Sequence, residues 1–383
     1  MSGQAEAPFD VHALRAEVPS VLASVYLNAG TFGPLPKVAA EAMHAHVTRS
    51  LEQGRIGHAG IVGWLDQLET ARAAFARTLS ASPDEVALTH ATTDGCNTVV
   101  WGLDLRPGDE VVTTTHEHPG LTAPLEELAR TRGVVLRHVA PELGAIVEAV
   151  GERTRLVALS HVLWTNGHVL PVASIAREIR AHRGDSAFLL VDGAQSVGAL
   201  DVAPEGLDVD AYTVSGQKWL CGPSGTGALW IRRAVLPRLG TPWPWYLSKD
   251  RGPRGVREWP TARRLDTSTI GMTSLAGAIA ALAWQHAAWH SGGREHAQSM
   301  ADRLRARLGT TARVRLLAAE VPSQLVSFSV DGEDASAVVK RLEAGGVLVR
   351  AIPGVDCVRA AVGFWNDEGD LDRLVERVAA GPR

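Results

Sequence analysis

Three features of this 383-residue chain predict an α/β fold, with a mostly parallel sheet in a large domain and a smaller α+β C-terminal domain. Short apolar runs alternate with amphipathic stretches as far as Ile231, the pattern of repeated strand–helix units. The run Phe188–Val191 shows no polar alternation, which predicts a strand covered on both faces. The length suits two domains of roughly 100–200 residues each.

Element by element, residues 38–51 and 61–79 place apolar side chains at three- and four-residue spacing and predict helices. Residues 85–89 predict a short strand ending at Ala91-Thr92-Thr93-Asp94-Gly95, with helix signals resuming over 96–103. Strands follow at 110–114, 134–139, 156–160, 188–191, 211–214 and 227–231, which makes a seven-stranded sheet. Helices at 121–132 and 173–182 fill the crossovers. Residues 241–260, rich in Pro, Trp, Gly and charge, break the pattern and predict a loop or lid. A long helix over 274–291 leads to a second region. That region holds helices at 295–308, 335–344 and 370–379 and strands at 325–330, 347–352 and 358–362. The expected division is 20–265 for the large domain and 266–383, joined by 1–19, for the small one.

Composition excludes several classes. A net charge of −4 gives no electrostatic footprint for nucleic acid. No run approaches the roughly 20 apolar residues of a membrane span, and Met1–Asp10 lacks the basic-then-apolar pattern of a signal peptide. A cytoplasmic protein is expected. Cys96, Cys221 and Cys357 are odd in number and widely spaced, which fits neither a disulfide framework nor a zinc cluster. They are expected to be reduced and structural, and no metal is expected.

The chemistry concentrates around Lys218. The chain has four lysines among 38 basic residues, so one framed as Ser215-Gly216-Gln217-Lys218-Trp219 stands out. Asp192 precedes it by 26 residues, at the end of the buried run Leu189–Val191. A strand-end carboxylate and a lysine on the turn after the next strand are what pyridoxal 5'-phosphate (PLP) needs. The amine condenses with the cofactor aldehyde, and the carboxylate keeps the pyridine nitrogen protonated. Gln195 is in reach of the ring oxygen. His118, at the carboxyl end of a sheet strand where such folds bind ligands, supplies a flat ring to stack on the pyridine. His116 and His161 are weaker candidates. Thr92 and Thr93 open a helix and offer N–H and hydroxyl donors to the phosphate, with Ser215 and Gln217 beside the lysine. The same Thr-Thr-Asp pattern is also an ordinary helix cap. Gly222–Gly227 resembles a dinucleotide loop, but it joins two strands and so lacks the required context. Arg350 and Arg359, near strand ends, are candidates to bind a substrate carboxylate in a bidentate fork.

With these residues in place, the chain resembles the class V aminotransferase-like family of PLP fold type I. The resemblance runs from Tyr26-Leu27-Asn28-Ala29-Gly30 to Asp370-Leu371. It is carried by the ordered blocks 91–95, 117–120, 191–195 and 215–219. Within the group it is most similar to cystine C–S lyases, through Ser160–Trp164, Leu325–Phe328 and 349–360. Cysteine desulfurases and isopenicillin N epimerase-like proteins belong to the same group. The resemblance implies that Arg350 and Arg359 hold substrate carboxylates. It implies that Thr269, closing the block 263–269, reaches the phosphate of a neighbouring subunit, and hence a homodimer with shared sites. Several departures bear on function. Few residues separate Arg350 from Arg359, which leaves no room for a desulfurase's cysteine-bearing loop. Trp164 stands where desulfurases have an asparagine near the cofactor oxygen, with Thr165 or Asn166 able to compensate. Gln217 stands where many relatives have histidine, and Ser268 replaces a glycine before Thr269.

The resulting expectation is a C–S lyase that cleaves the Cβ–S bond of a cystine-like or S-substituted cysteine, giving pyruvate, ammonia and a thiol or persulfide. Trp164 and Asn166 join the two arginines on the substrate side. The alternative is an epimerase, aminotransferase or decarboxylating deaminase acting on an amino-acid moiety of a natural product. A binding module without catalysis is the least favoured reading.

Overall fold

A computed structural model describes residues 9–253 and 255–381. The large sheet comprises β1 (Val86–Thr89), β2 (Glu110–Thr114), β3 (Val135–Val139), β4 (Thr154–Ser160), β5 (Phe188–Asp192), β6 (Ala211–Ser215) and β7 (Gly227–Ile231). Their spatial order is β1-β7-β6-β5-β4-β2-β3. All neighbours pair in parallel except β7, which runs antiparallel between β1 and β6.

Helices cover both faces. On one side lie Phe75 of α2 (His58–Thr78), Ile175 and Ile179 of α5 (Val172–Arg183) and Leu275 and Leu282 of α6 (Met272–His290). They pack on Leu189, Val191, Val157 and Trp230. On the other side Val99 of α3 (Thr92–Gly102) and Leu121, Leu125 and Leu128 of α4 (Pro119–Arg132) pack on Phe188, Leu190 and Leu156. Alternate residues of β5 thus enter opposite cores, which is why Phe188–Val191 is apolar throughout. Outside α2 and α6 lies α1 (Lys37–Gln53), packed along α6.

The small domain has an antiparallel sheet in the order β8-β9-β11-β10, from β8 (Val314–Leu316), β9 (Leu325–Val330), β10 (Arg350–Ile352) and β11 (Cys357–Ala361). Its core takes Leu304 and Leu308 from α7 (Gly293–Thr310), Val338 and Leu342 from α8 (Ala335–Ala344), and Leu371 and Leu374 from α9 (Glu368–Ala379). Val25 and Leu27 also enter this core, beyond the division expected at residue 20. The short helix Val11–Ala16 is tied down by Arg15, whose guanidinium meets the fully buried Asp370 at 2.7 Å and donates to Trp365 O.

Most expected elements appear within a few residues, with some differences. The helix expected from residue 96 starts at Thr92. The strand expected over 347–352 divides at Val349. Val347–Leu348 pairs with Val25–Tyr26, whereas Arg350–Ile352 pairs with β11. Residues 241–260 are largely irregular but contain a hairpin, Lys249–Gly252 with Gly255–Glu258. Helices at Val11–Ala16, Pro19–Ala23 and Leu143–Glu148 were not expected, because five or six residues are too few to show a helical period.

Candidate active site

Five strand ends build one site. Backbone pairing sets Ser160 opposite Asp192 and Asp192 opposite Thr213, in a line along the carboxyl edge of the sheet. From this edge the loops carry Thr92 after β1, His118 after β2, Trp164 after β4, Gln195 after β5 and Lys218 after β6.

Asp192 is buried, and its Oδ1 accepts from Ala194 N–H at 2.8 Å. Among the described residues its other oxygen has no partner. Burial raises its carboxyl above the usual range, against the opposing pull of Lys218. Lys218 is partly buried and pairs with no carboxylate within 4 Å among the described residues. Burial brings its amine down to about 8, with Asp192 pulling the other way and Arg359 adding to the fall. The segment before α1 closes over this turn: Gly33 N–H donates to Gln217 O, and a Cβ at Gly33 would stand 2.0 Å from Lys218 O. His118 caps α4, accepting from Gly120 N–H at Nδ1 (2.9 Å), which places the ring proton on Nε2. Burial, with Lys218 and Arg359 nearby, holds its pKa down at about 4, so the ring is neutral near pH 7. It meets Trp164 edge-on, with centroids 4.9 Å apart and planes at 84°.

Helix α3 follows Ala91 without a side-chain cap from that residue, which leaves N–H donors of its first turn available. Thr92 N–H and Oγ1 both meet Ser215 Oγ, at 3.3 and 3.1 Å. Thr93 is exposed at the same terminus. Gln217 Oε1 is buried with no hydrogen-bond partner among the described residues. Asp94 would repel a phosphate, but its carboxylate turns to His90 Nδ1 at 2.8 Å. That hydrogen bond raises the histidine and lowers the aspartate. Thr269 lies elsewhere, exposed on a groove of ≈ 920 Å³ beside α1 and α2. Ser268 before it has φ +96°, a region where glycine is favoured, so the missing glycine leaves local strain.

The substrate side centres on Arg359, which is 2% exposed. Its NH1 donates to Trp164 O at 2.8 Å, its Nε has no partner, and it forms no ion pair among the described residues. Burial, with Arg350 adjacent, pulls its pKa down to about 10. Arg350 is exposed and directly opposite Arg359 in the β10–β11 pair. A Cβ on Gly30 would meet Arg359 NH2 at 2.7 Å, so a side chain there would displace the guanidinium. Gln195 donates one amide hydrogen to Gly30 O and accepts from Trp219 Nε1, and its second amide hydrogen has no partner among the described residues. Trp164 Nε1 and Thr165 Oγ1 are buried and unpartnered among the described residues.

Asn166, expected on the substrate side, makes its hydrogen bonds elsewhere. Its Nδ2 donates to Ala318 O and its Oδ1 accepts from His168 N–H, so both ends are committed to loop structure. Thr165 is the free hydroxyl at this place. His161 is drawn away as well, its Nδ1 meeting Tyr212 OH at 2.6 Å.

Sequence reasoning missed the His90–Asp94 pair, the Trp219–Gln195–Gly30 chain and the buried Glu117. The only signal for Glu117 was its place beside His118. Cys96, Cys221 and Cys357 are free and buried, and burial raises each thiol. Among the described residues no cluster of His, Cys, Asp or Glu could hold a metal ion, and no helix is long and apolar enough to cross a membrane.

The chain matches the family "Aminotransferase class-V" over residues 25–374. It is 33% identical over 334 residues to a probable cysteine desulfurase of Pseudomonas aeruginosa, covering 80% of each chain. It is 28% identical to the isopenicillin N epimerase of Streptomyces clavuligerus, covering 93% of this chain and 94% of that one. Among solved structures it resembles the cystine C–S lyase C-DES in complex with its product cysteine persulfide, with a TM-score of 0.90 and 32% identity. That likeness covers 95% of this chain and all of that one. A lysine-to-alanine variant of C-DES, with glycine covalently linked to its PLP cofactor, superposes equally well.

Fold and site therefore define a fold type I, PLP-dependent class of protein. This chain belongs to the class V aminotransferase family, and within it is cysteine desulfurase-like and cystine C–S lyase-like. Its cofactor is PLP, and the residues present fit that group. A lysine amine without a carboxylate partner, a strand-end carboxylate with one oxygen free, an uncapped helix terminus and a neutral imidazole converge on one edge of the sheet.

Proposed function

We propose that this protein is a C–S lyase that cleaves the Cβ–S bond of a cystine-like or S-substituted cysteine by β-elimination. The observation that carries the reading is the hairpin between the two arginines. Only four residues separate Ile352 of β10 from Cys357 of β11, too few to project a cysteine over the site. Cys357 itself is buried, and burial pushes its thiol up to about 11. No thiolate is thus poised to carry sulfur, and the sulfur must leave as a free product.

When bound, PLP supplies the sink for the electron pair left by the broken Cα–H bond. Lys218 would hold the cofactor and, once released by the substrate amine, take the Cα proton. An amine near 8 is well matched to that work at neutral pH. Asp192 would face the pyridine nitrogen, and His118 would stack on the ring. Thr92, Thr93, Ser215 and Gln217 would hold the phosphate, Gln195 the ring oxygen, and Thr269 a partner's phosphate. Arg359 offers an unpaired buried cation to the substrate α-carboxylate, and Arg350 a second, exposed one to a distal carboxylate. Trp164 backs His118. As the Cβ–S bond breaks, its electron pair leaves on sulfur. Hydrolysis of the remaining three-carbon unit gives pyruvate and ammonia, and cystine would give cysteine persulfide.

This reading includes a homodimer, cytoplasmic placement and the division into 20–265 and 266–383 with 1–19. Likeness to an isopenicillin N epimerase supports one other reading, proton movement at Cα without loss from Cβ. Both are tested by incubating the holoenzyme with cystine and S-substituted cysteines in deuterated water. Pyruvate release supports the lyase. Deuterium incorporation at Cα without pyruvate would replace it with the epimerase.

A further inference from the structure

Glu117 is a buried carboxylate with no part in the reaction proposed above. It is 8% exposed and immediately precedes His118. Thr114 Oγ1 donates to its Oε1 at 2.6 Å, while Ser160 N–H and Oγ donate to its Oε2 at 2.9 and 2.5 Å. Thr114 in turn accepts from His116 N–H, so its own proton is free for the glutamate. Thr114 closes β2 and Ser160 closes β4. Backbone pairing between these strands ends earlier, at Thr113 opposite Ala158. Beyond that point Glu117 continues the tie with side-chain bonds. The loops it joins carry His118 on one side and Trp164 on the other, the two rings that meet edge to face. Cys96 from α3 and Asp192 from β5 face it electrostatically. Desolvation by burial is the largest influence on its carboxyl, opposed by these donors.

We propose that Glu117 is a positioning residue that clamps the ends of β2 and β4, so that His118 is presented at the fixed angle needed to stack on the cofactor. The inference rests on His118 stacking on PLP. A carboxylate suits the place because all three donor groups of Thr114 and Ser160 need an acceptor and two oxygens supply it. Glutamine has the same shape but only one acceptor, so Glu117→Gln breaks part of the clamp without opening a cavity.

The test compares apo-protein titrated with PLP, reading the dissociation constant and the visible circular dichroism per bound cofactor. It uses the parent, Glu117→Gln, His118→Phe and the double variant. Expected is about tenfold weaker PLP binding and a reduced visible ellipticity in Glu117→Gln. In the His118→Phe background the same change should add little, because the glutamate acts through the imidazole. Parent-like binding and ellipticity in Glu117→Gln would overturn the proposal. So would a loss of equal size with and without His118, which would assign Glu117 to the fold alone. Should Glu117→Gln not fold, Ser160→Ala and Thr114→Val, each removing one donor, carry the same comparison. A parent that binds PLP without a borohydride-bleachable chromophore would instead overturn the Lys218 assignment, and the clamp would still be read from affinity.

Discussion

At the scale of single residues, three side chains carry the testable chemistry. Lys218→Ala is expected to abolish turnover and the covalent fixation of the cofactor to the chain by borohydride, while PLP still binds through the phosphate donors. Full activity in that variant would refute the assignment. Arg359→Ala is expected to lower kcat/KM about 10- to 100-fold, the worth of a lost charge-assisted hydrogen bond to a carboxylate. Steady-state kinetics with the best substrate from the screen decide this, and unchanged values would remove Arg359 from the site. His118 gives a pH prediction. Burial lowers its pKa from 6.5 to about 4, so between these values the unfolded chain binds a proton that the folded chain does not. Stability from this residue is therefore complete above 6.5 and is lost as the pH falls toward 4. The melting temperature of the apo-protein should fall more between about pH 7.5 and about pH 5 than that of His118→Phe. His161 is shifted in the same direction but is present in both proteins, so it cancels. Lys218 and Asp192 stood out in the sequence because each needs only its own strand end to be placed. Glu117 and His90 did not, because their roles depend on partners from other strands or on an unusual helix start.

At the scale of elements, the segment that carries Thr269 is fixed by a buried ion pair. Asp266 meets both terminal nitrogens of Arg72 on α2, at 2.9 and 2.8 Å, and accepts from Leu88 N–H in β1. Arg72 also donates to Val86 O. Thr267 N–H then donates to Leu88 O, so the chain runs along the free edge of β1 before Ser268 turns it outward. Removing Asp266 leaves the buried Arg72 with only the more exposed Glu69 as an ion-pair partner, so Asp266→Ala is expected to cost about 3 kcal/mol in chemical denaturation. A loss below about 1 kcal/mol would show that the pair is not holding the segment. The block 263–269 was visible in the sequence as a resemblance, but its anchor on α2 was not. Arg72 and Asp266 are far apart in the chain, and only the fold brings them together. The split of 347–352 has the same origin: the residues favour a strand throughout, and the choice of partner changes at Val349.

At the scale of the whole molecule, the groove lined by Thr269 and Trp64 adjoins exposed apolar residues of α1, α2 and the turn between them. Leu51 and Ile56 are 84% and 89% exposed, with Val47 and Ile61 beside them. A cluster of this kind suits an association face. The proposed homodimer would cover it and bring Thr269 to the neighbouring site. The holoenzyme is thus expected to sediment at twice the 40.7 kDa chain mass. Leu51→Asp combined with Ile56→Asp should halve that mass and loosen PLP together. A parent that sediments as a monomer with full PLP affinity would end the shared-site reading.

Local sequence patterns were enough for the α/β class and the order and approximate bounds of the strands, and they singled out Lys218 and Asp192 as the candidates to hold the cofactor. These are local properties: hydrophobic period, strand-end position and the chemistry of a single side chain suffice to read them. Which groups stand free and which are committed became visible in the folded chain. It took Asn166 away to Ala318 O, left Thr165 and Trp164 with unpartnered polar atoms, and buried Arg359 without a carboxylate. Whether a polar side chain is available for chemistry depends on the neighbours that fold against it, and those neighbours come from distant parts of the chain.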